Sequence, residues 1–411
     1  MRRSPLLTGI WAHDGAAPAL VHATAHSVAA RWTYAQVRAA TAAAACRLRA
    51  LPTPGPVALA LPAGPELAVA QLAVLAAGRV VVPLSAYADP PPRLQAVIEA
   101  VAPAAVVVAG AAPPFLAAAL KLLPREVPVL HDLVHLEGPL ERNANLADFE
   151  LAEPALDNIE AVSHIFFTSG SSGQPKGCVG TWQALRAYCA ARNAAYGVTA
   201  DRDCVCLVAS APTFDPNLLD TVATWLAGAT VAVADSSDIL RDLGGVLRAA
   251  RASHVCCTPT LFKTLQEEDF AALPQLCWVA LGGEAMPSPL PPAWERRTFT
   301  LANTYGVTEA CGYQMLGVVR PGASPRLLGA PLPGNTVVLA AGRGDDPTST
   351  VADGSNQVGE LWLAGPQVGL GYLGAPALSA GKFVTHPTLG RCFRTGDMAR
   401  GTPAGWERLG R

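Results

Sequence analysis

The stretch FFTSGSSGQPKG, Phe166–Gly177, places small and polar residues and one lysine directly after an apolar run. By itself it has two interpretations: a flexible glycine–serine linker, or a loop whose closely spaced backbone N–H groups bind a polyphosphate. Glycine lets the backbone approach a ligand closely, and Lys176 adds a positive charge. The stretch is not a P-loop, because that pattern places Ser or Thr after its lysine and here Gly177 follows. The choice between the two interpretations depends on the rest of the chain.

The composition is that of a large globular protein. The 411 residues are 51% hydrophobic and 15% charged, with a formal net charge of −2. This length exceeds one compact unit, so we expect two or three subdomains, and the near-neutral charge argues against a nucleic-acid-binding surface. The ten cysteines are scattered, and neither Cys204-x-Cys206 nor Cys256-Cys257 has a nearby histidine set at zinc spacing. The pattern favours a reduced, cytoplasmic protein, and the apolar stretch at the N-terminus is too short for a signal peptide.

One uncharged run, Ala100–Leu120, is long enough to span a membrane. Prolines and a glycine interrupt it, and much of it is alanine, which is only weakly apolar. The run therefore predicts a buried strand over 105–109, followed by a helix with Pro113 and Pro114 in its first turn.

The pattern along the chain predicts three subdomains. In residues 1–158, and again in 159–318, short apolar runs alternate with helix-like segments, which is typical of a mostly parallel sheet. In 319–411 short strand-like pieces are separated by glycines and turns, which indicates a small antiparallel barrel or sheet.

Four further stretches decide the meaning of the opening loop. They are TFDPN at Thr213–Asn217, NTYGVTE at Asn303–Glu309, GELWLAGPQVGLGYL at Gly359–Leu373 and FRTGD at Phe393–Asp397. In this order and spacing, together with the loop, they resemble the adenylate-forming superfamily, and most closely the adenylation domains of nonribosomal peptide synthetases. The resemblance runs from RWTYAQV to the final LGR, and it favours the phosphate-binding interpretation of the loop.

The resemblance implies a fold and a reaction. The fold is α/β: two α/β subdomains with mostly parallel sheets plus a small β-barrel subdomain, the large N-terminal core of an adenylation domain. The reaction joins an amino acid to ATP as aminoacyl-AMP and releases pyrophosphate, with Mg²⁺ as the metal. A peptidyl carrier protein with a phosphopantetheine thiol then takes the aminoacyl group. A small mobile C-terminal domain normally follows in the family, so the resemblance implies that this sequence ends at the hinge before it.

Motif positions that match the family imply the nucleotide and metal contacts. Thr168, Lys176, Thr308 and Glu309 are the candidate catalytic residues, with Thr308 near the α-phosphate and Glu309 on Mg²⁺. The loop residues that would hold the β- and γ-phosphates are Thr168, Ser169, Gly170, Ser171, Ser172, Gly173 and Lys176. The residues expected around adenine and ribose are Gly283, Glu284, Ala285, Asn303, Tyr305, Gly306, Asp397 and Arg411.

Asp215 decides the substrate class in this comparison. From the residues alone it could cap a helix that begins at Pro216. The family places aspartate here to pair with the substrate's α-ammonium group, which relatives that activate aryl or fatty acids generally lack. The residues that match the family's substrate pocket are Phe214, Asp215, Pro216, Leu219, Cys256, Ala280, Gly282, Thr304, Gly306, Gly312 and Tyr313. The small residues among them predict a roomy pocket.

A roomy pocket without a lining cation favours a medium or large side chain, either aliphatic or of a polar or cyclic nonproteinogenic kind. Asp220 or Glu284 would favour a basic group if either turned inward. Two other functions stay open: an acyl- or aryl-CoA ligase, against which Asp215 and Phe214 count, and a binding fragment that turns over slowly without a C-terminal domain. The sequence departs from the family's usual motifs at Val307 and Arg408, neither of which we expect to carry the chemistry directly.

Overall fold

The computed structural model describes most of the chain, and its strands and helices follow the predicted alternation. The described residues are 6–136, 149–155, 157–169, 174–295, 297–320, 322, 324–341, 350–351, 356–403 and 405–410. Gly170, Ser171, Ser172, Gly173 and Arg411, which carry predicted nucleotide contacts, therefore lie outside the described residues.

The strands, in chain order, are β1 (Pro18–Ala23), β2 (Val28–Thr33), β3 (Val57–Ala60), β4 (Val81–Pro83), β5 (Ala105–Val108), β6 (Val129–His131), β7 (Val162–Ser169), β8 (Pro175–Thr181), β9 (Val205–Val208), β10 (Thr230–Val233), β11 (His254–Cys257), β12 (Trp278–Leu281), β13 (Thr300–Gly306), β14 (Tyr313–Val318), β15 (Leu327–Pro331), β16 (Thr336–Ala341), β17 (Thr350–Val351), β18 (Val358–Ala364), β19 (Gly371–Tyr372), β20 (Phe383–His386), β21 (Gly390–Thr402) and β22 (Gly405–Gly410).

The helices are α1 (Leu6–Trp11), α2 (Tyr34–Arg49), α3 (Pro65–Ala76), α4 (Pro91–Val101), α5 (Pro114–Lys121), α6 (Trp182–Tyr196), α7 (Pro216–Leu226), α8 (Ser236–Arg241), α9 (Leu243–Ala250), α10 (Pro259–Phe262), α11 (Glu267–Ala271), α12 (Pro292–Glu295) and α13 (Pro376–Lys382), and a 3₁₀ helix covers Thr308–Ala310.

The uncharged run Ala100–Leu120 forms a strand and a helix, as predicted. β5 is buried along its length, and α5 follows with Pro113 at its N-cap and Pro114 at its first position. In the part of the chain that the structure describes, no helix is long and apolar enough to cross a membrane.

The strands form two mixed sheets. In the smaller sheet, with the order β19-β8-β7-β4-β3-β5-β6, the strands from β7 to β6 are parallel and β8 and β19 are antiparallel additions. In the larger sheet, β1, β10, β9, β11, β12 and β13 are parallel neighbours in that order. This confirms the predicted α/β class.

The antiparallel strands after β13 continue the larger sheet. β14 and β15 extend it from β13, and β22, β21, β18, β16 and β17 follow in that order, with β20 paired to β21. Among the described residues these pairings trace an open path of strands. This is the small antiparallel unit that the glycine-separated strands predict.

Strand pairing crosses the expected boundary at residue 158. β7 and β8 lie beyond it and yet pair into the smaller sheet beside β4, while β1 and β2 lie before it and pair into the larger sheet beside β10. β19, expected with the last subdomain, pairs with β8. Pairing depends on which edges meet after folding, so the division into three chain segments stays a prediction.

Helices α2, α3, α6 and α7 pack between the two sheets and share one apolar core. Polar groups in this layer find partners across it: Tyr34 donates to the carbonyl of Ala229 at 2.8 Å, and Gln71 donates to Asn217 at 3.0 Å. α2 begins with a capping box in which Thr33 and Gln36 satisfy each other's backbone N–H groups. The shared core holds the two sheets together.

Candidate active site at the meeting of the sheets

The opening stretch of the sequence is the hairpin between β7 and β8. Thr168 and Lys176 are directly paired across these strands, and the residues between 169 and 174 lie outside the described part of the chain. Thr168 and Lys176 are both half-buried, and Ser169 is exposed. The hairpin therefore presents a hydroxyl and an ammonium group side by side on one face of the sheet.

A tight turn after β13 forms the centre of the site. The 3₁₀ helix from Thr308 ends at Cys311 and Gly312, which both have positive φ, 60° and 77°. Two buried amides hold this turn: Gln314 donates to the carbonyl of Ala310 at 2.6 Å, and Gln367 donates to that of Cys311 at 2.8 Å. The motifs quoted for the resemblance do not include Gln314, and nothing local in the sequence marks either amide, since both act on backbone carbonyls.

Asp215 points at this turn. Its Oδ2 accepts a hydrogen bond from the Gly312 N–H at 2.8 Å, and its Oδ1 accepts one from the Thr308 hydroxyl at 3.3 Å. The residue stands at the N-cap position of α7, but its side chain makes no cap hydrogen bond, so the structure contradicts the capping alternative. The prediction that α7 begins at Pro216 is confirmed.

The Asp215 carboxylate is buried without a countercharge. It is 2% exposed, and within the described residues no cationic side chain pairs with it. Burial raises its pKa from 3.8 to about 6, even though the two hydrogen bonds lower it. The charged form is therefore destabilised in the ligand-free protein, which is the condition under which a carboxylate gains most from a cationic ligand.

Glu309 connects the turn to the hairpin. It is half-buried, and its Oε1 accepts a hydrogen bond from the Tyr372 hydroxyl at 2.7 Å. Lys176 Nζ lies 5.5 Å from the centroid of the same tyrosine ring, and Tyr372 is on β19, which pairs with β8. Tyr372 belongs to the GLGYL stretch, but the sequence does not indicate that it bridges the lysine and the carboxylate.

A cavity of about 390 Å³ opens beside the turn and collects most of the predicted nucleoside residues. Its lining includes Gly283, Glu284, Ala285, Asn303, Thr304, Tyr305, Gly306, Asp397 and Arg408. Asn303 donates through Nδ2 to the carbonyls of Pro325 and Leu327, at 3.3 and 2.8 Å, so its Oδ1 is the atom offered to a ligand.

Asp397 is at the far side of this cavity and is almost fully buried. It accepts a hydrogen bond from the Tyr305 hydroxyl at 2.7 Å and forms an ion pair with Arg408 at 2.9 Å. Arg408, which we did not expect to act directly, therefore contacts a predicted ligand-binding carboxylate. The glycine at 396, with φ of 80°, allows the sharp turn that brings Asp397 inward.

The small residues of the predicted substrate pocket do not create open space. A Cβ at Gly312 would lie 2.6 Å from the Tyr188 ring, and one at Gly282 would lie 2.6 Å from both Tyr313 and Thr304. These glycines accommodate neighbouring side chains, so the expectation of a roomy pocket is wrong at these two positions. Tyr188, absent from the sequence-based set, occupies the space.

The other predicted pocket residues converge on the same region. Leu219 approaches Gly312, Phe214 lies over Gly283, and Gly306 packs its backbone against Gly312. Cys256 and Ala280 are buried and paired on β11 and β12. Leu219 and Gly306 thus lie at the Gly312 turn that Asp215 contacts.

Neither acidic residue considered for basic side chains is available to one. Asp220 is buried, accepts a hydrogen bond from Tyr188 at 2.8 Å and pairs with buried Arg192 at 3.4 Å. Glu284 is exposed and accepts from the Thr260 backbone N–H at 3.1 Å. Asp220 therefore has its own cation, and Glu284 is held toward α10.

Buried His164 lies behind the turn and is another residue that sequence reasoning missed. Its Nε2 is 3.8 Å from Cys311 Sγ, and its Nδ1 is 2.9 Å from the Ser163 hydroxyl. Burial lowers its pKa from 6.5 to about 4, so the ring is neutral at physiological pH. It supports the turn as a neutral packing group.

Comparison with known proteins places this geometry in a family. A family model described as an AMP-binding enzyme matches residues 11–373. Novobiocin biosynthesis protein H of Streptomyces niveus is 34% identical over 353 residues, which is 84% of this chain and 55% of that protein. Nonribosomal peptide synthetase fso1 of Omphalotus olearius is 32% identical over 359 residues, 84% of this chain and 8% of that protein. The chain thus spans about half of the first relative and a small part of the second.

A solved structure has the same fold. The nonribosomal peptide synthetase FmoA3 (S1046A) superposes with a TM-score of 0.82 at 22% sequence identity, over 99% of this chain and 42% of that chain.

Proposed function

This chain belongs to the AMP-binding enzyme family, and from that premise we propose that it activates an amino acid as aminoacyl-AMP, with ATP as the second substrate and pyrophosphate as the product. A carboxylate oxygen of the amino acid bonds to the α-phosphorus of ATP while the bond from that phosphorus to pyrophosphate breaks. The observation that carries this proposal is the buried Asp215 carboxylate, which faces the turn at Gly312 and has no cationic partner among the described residues.

Asp215 supports an amino acid as the substrate because its charged form is destabilised until a cation arrives. An α-ammonium group within hydrogen-bonding distance restores the favourable interactions that burial removes. An aryl or fatty acid offers no such group and would leave the buried charge unpaired, which is costly. This argues against the acyl- or aryl-CoA ligase alternative.

The hairpin and the turn support a phosphate site. Lys176 supplies a point charge, Thr168 lies directly across the strand pair from it, and Thr308 lies on the turn beside Asp215. We assign Lys176 and Thr168 to the β- and γ-phosphates and Thr308 to the α-phosphate. Fixed donors at these positions stabilise the negative charge that develops during phosphoryl transfer.

Glu309 fits a magnesium ion. The hydrogen bond from Tyr372 uses Oε1, so Oε2 is the oxygen that Glu309 offers, and Mg²⁺ in such sites takes one or two carboxylates together with substrate phosphates. A bound Mg²⁺ would neutralise phosphate charge. Tyr372 orients the carboxylate by donating its hydroxyl to Oε1 at 2.7 Å.

The 390 Å³ cavity supports a nucleoside site. We assign Asn303 Oδ1 to the adenine amino group, Tyr305 to the face of the base, and Asp397 to the ribose hydroxyls. Arg408 pairs with Asp397 at 2.9 Å and would hold this carboxylate in place for the ribose hydroxyls.

The side chain of the amino acid would meet Tyr313, Thr304 and Leu219. These groups favour an aliphatic or weakly polar side chain, since Asp220 is paired with Arg192 and no described cation lines the pocket. Transfer of the aminoacyl group to a phosphopantetheine thiol on a carrier protein would follow, as the resemblance implies.

A binding screen tests this proposal independently of turnover. Aminoacyl, aryl and fatty-acyl sulfamoyl adenosines would be titrated calorimetrically, and ATP–pyrophosphate exchange would be measured with the corresponding acids. We expect at least one aminoacyl analogue to bind more tightly than every aryl and fatty-acyl analogue, and the Asp215→Ala variant to lose that preference while still binding ATP. Tighter binding of aryl analogues, unaffected by Asp215→Ala, would contradict the proposal.

A further inference from the structure

A cluster of cysteine and histidine side chains lies at the end of the larger sheet away from the reaction site. The ligand atoms of Cys204, Cys206 and His254 lie within 4.8 Å of one another, and all three residues are buried. Among the residues that the structure describes, this is the one grouping of its kind. Parallel pairing of β9 with β11 places Cys206 opposite His254, although 48 positions separate them in the sequence.

His254 is oriented as metal-bound histidines are. Its Nε2 lies 3.0 Å from the Tyr196 carbonyl, which requires the proton on Nε2 and leaves Nδ1 as the electron-pair donor. Metal-ligating histidines typically donate their other N–H to a carbonyl or carboxylate in this way. Nδ1 lies 2.8 Å from the Ser253 hydroxyl, 3.9 Å from Cys204 Sγ and 4.0 Å from Cys277 Sγ, so a bound metal would replace the Ser253 contact.

We propose that Cys204, Cys206 and His254 bind a thiophilic divalent cation, Zn²⁺, with Cys277 as the fourth ligand. Zinc bonds of about 2.3 Å to sulfur and about 2.0 Å to nitrogen place tetrahedral ligands roughly 3.5–3.8 Å apart. The separations of 3.9 and 4.0 Å about His254 are close to these values, and Cys277, which lies outside the 4.8 Å group, would have to rotate its sulfur toward those of Cys204 and Cys206. Cys277 now donates to the Ser253 carbonyl at 3.2 Å and would exchange that contact for the metal.

The surroundings suit a site with negatively charged sulfur ligands. The Arg192 guanidinium lies 4.0 Å from Cys206 Sγ, and it is paired on its other side with Asp220. Three thiolates on Zn²⁺ leave a net negative charge, and Arg192 contributes beside it a positive charge that it shares with Asp220. Cys277 is exposed and provides an entry route from solvent.

The site is separate from the reaction centre. Cys204 and Cys277 directly precede β9 and β12, and His254 begins β11. At the opposite end of the sheet, Gly282 follows β12 and Gly306 ends the neighbouring parallel strand β13. The ion would therefore tie three strand starts together without contacting the substrate. The alternative is that these thiols simply pack around a hydrogen-bonded histidine, in which case no metal binds.

Cobalt titration of the chelator-treated protein distinguishes a metal site from thiols that only pack around the histidine. We expect about one Co²⁺ per chain, an intense thiolate-to-cobalt absorption band, and its loss when an equimolar amount of Zn²⁺ is added. Cys204→Ser and Cys206→Ser should each abolish the band. Cys392→Ser, a control at a buried cysteine outside the cluster, should keep it. A band that survives both cluster variants, or the absence of any band, would overturn the proposal.

Two measurements keep the test independent of variant folding. In the unmodified protein, Zn²⁺ should raise the melting midpoint by several degrees and slow alkylation of Cys204 and Cys206 in mild denaturant by more than about tenfold, relative to Cys392. Equal alkylation rates with and without Zn²⁺ would contradict the site. Cys277→Ser should weaken Zn²⁺ binding, and unchanged affinity would remove Cys277 from the ligand set.

Discussion

Replacing Asp215 with asparagine should stabilise the ligand-free protein while abolishing amino-acid activation. The change keeps the size and shape of the side chain and removes its charge. The wild-type carboxylate is buried with hydrogen bonds from Gly312 and Thr308, and no described cation pairs with it. The charge therefore lowers the stability of the ligand-free protein, and a cationic ligand would reverse this effect.

The size of the effect follows from the pKa of Asp215, which burial raises from 3.8 to about 6. Below the pKa of Asp215 in the unfolded protein, the carboxyl is protonated in both the folded and the unfolded state, so it carries no charge and does not lower the stability. As pH rises toward 6 only the unfolded state releases its proton, so the free energy of unfolding falls, and above 6 the loss is complete. This pKa shift corresponds to a destabilisation of the folded protein by about 3 kcal/mol, which the Asp215→Asn variant avoids. Asparagine offsets about 1 kcal/mol of this gain because one hydrogen bond is weakened. The expected net gain is about 2 kcal/mol at about pH 8.

Urea unfolding near pH 5 and near pH 8 checks this expectation. The stability advantage of Asp215→Asn over wild type should be larger at the higher pH by about 1.5 kcal/mol. Asp220→Asn is the matched control on the same helix, because it strands buried Arg192 and should destabilise the protein by about 3–5 kcal/mol. If Asp215→Asn were less stable than wild type at the higher pH, or if its advantage did not change with pH, the reasoning about an unpaired buried charge would be wrong.

Four further outcomes are expected. Lys176→Ala should weaken ATP binding more than AMP binding in calorimetry, because AMP lacks the β- and γ-phosphates; equal losses would remove the lysine from the phosphate site. Glu309→Gln should reduce Mg²⁺-dependent pyrophosphate exchange with little change in melting midpoint, whereas a large drop in that midpoint would indicate a structural carboxylate. Gly312→Ala should destabilise the protein by roughly 2 kcal/mol or more in urea unfolding, since its φ is 77° and a Cβ would lie 2.6 Å from Tyr188. His164, with a pKa lowered to about 4, binds its proton more weakly in the folded state. Stability should therefore fall as pH drops from about 6.5 toward 4, by up to about 1.4 kcal/mol per unit, and His164→Gln should flatten this part of the profile.

Much of the fold could be predicted from local patterns in the chain. Short apolar runs between helix-like segments predicted a mostly parallel sheet, and β3, β4, β5 and β6 are parallel strands of this kind. The prediction is local because a strand buried on both faces is apolar along its whole length. The adjacent prolines at 113 and 114 marked the start of α5 for a local reason, since proline lacks the N–H that a first helical turn does not need. The ordered motifs indicated the family, and its model matches the chain.

Only the tertiary structure decided which residues that are distant in the chain become neighbours. Small residues at 282 and 312 predict open space until Tyr188 and Tyr313 are seen against them. Asp215 can cap a helix until the turn at Gly312, 97 residues later, is seen to donate to it. Cys206 has no histidine near it in the sequence, yet β11 lies beside β9 and carries His254 to it. The physical reason is the same in each case: backbone propensities act over a few residues, whereas side-chain contacts depend on which strand edges and helix faces pack together.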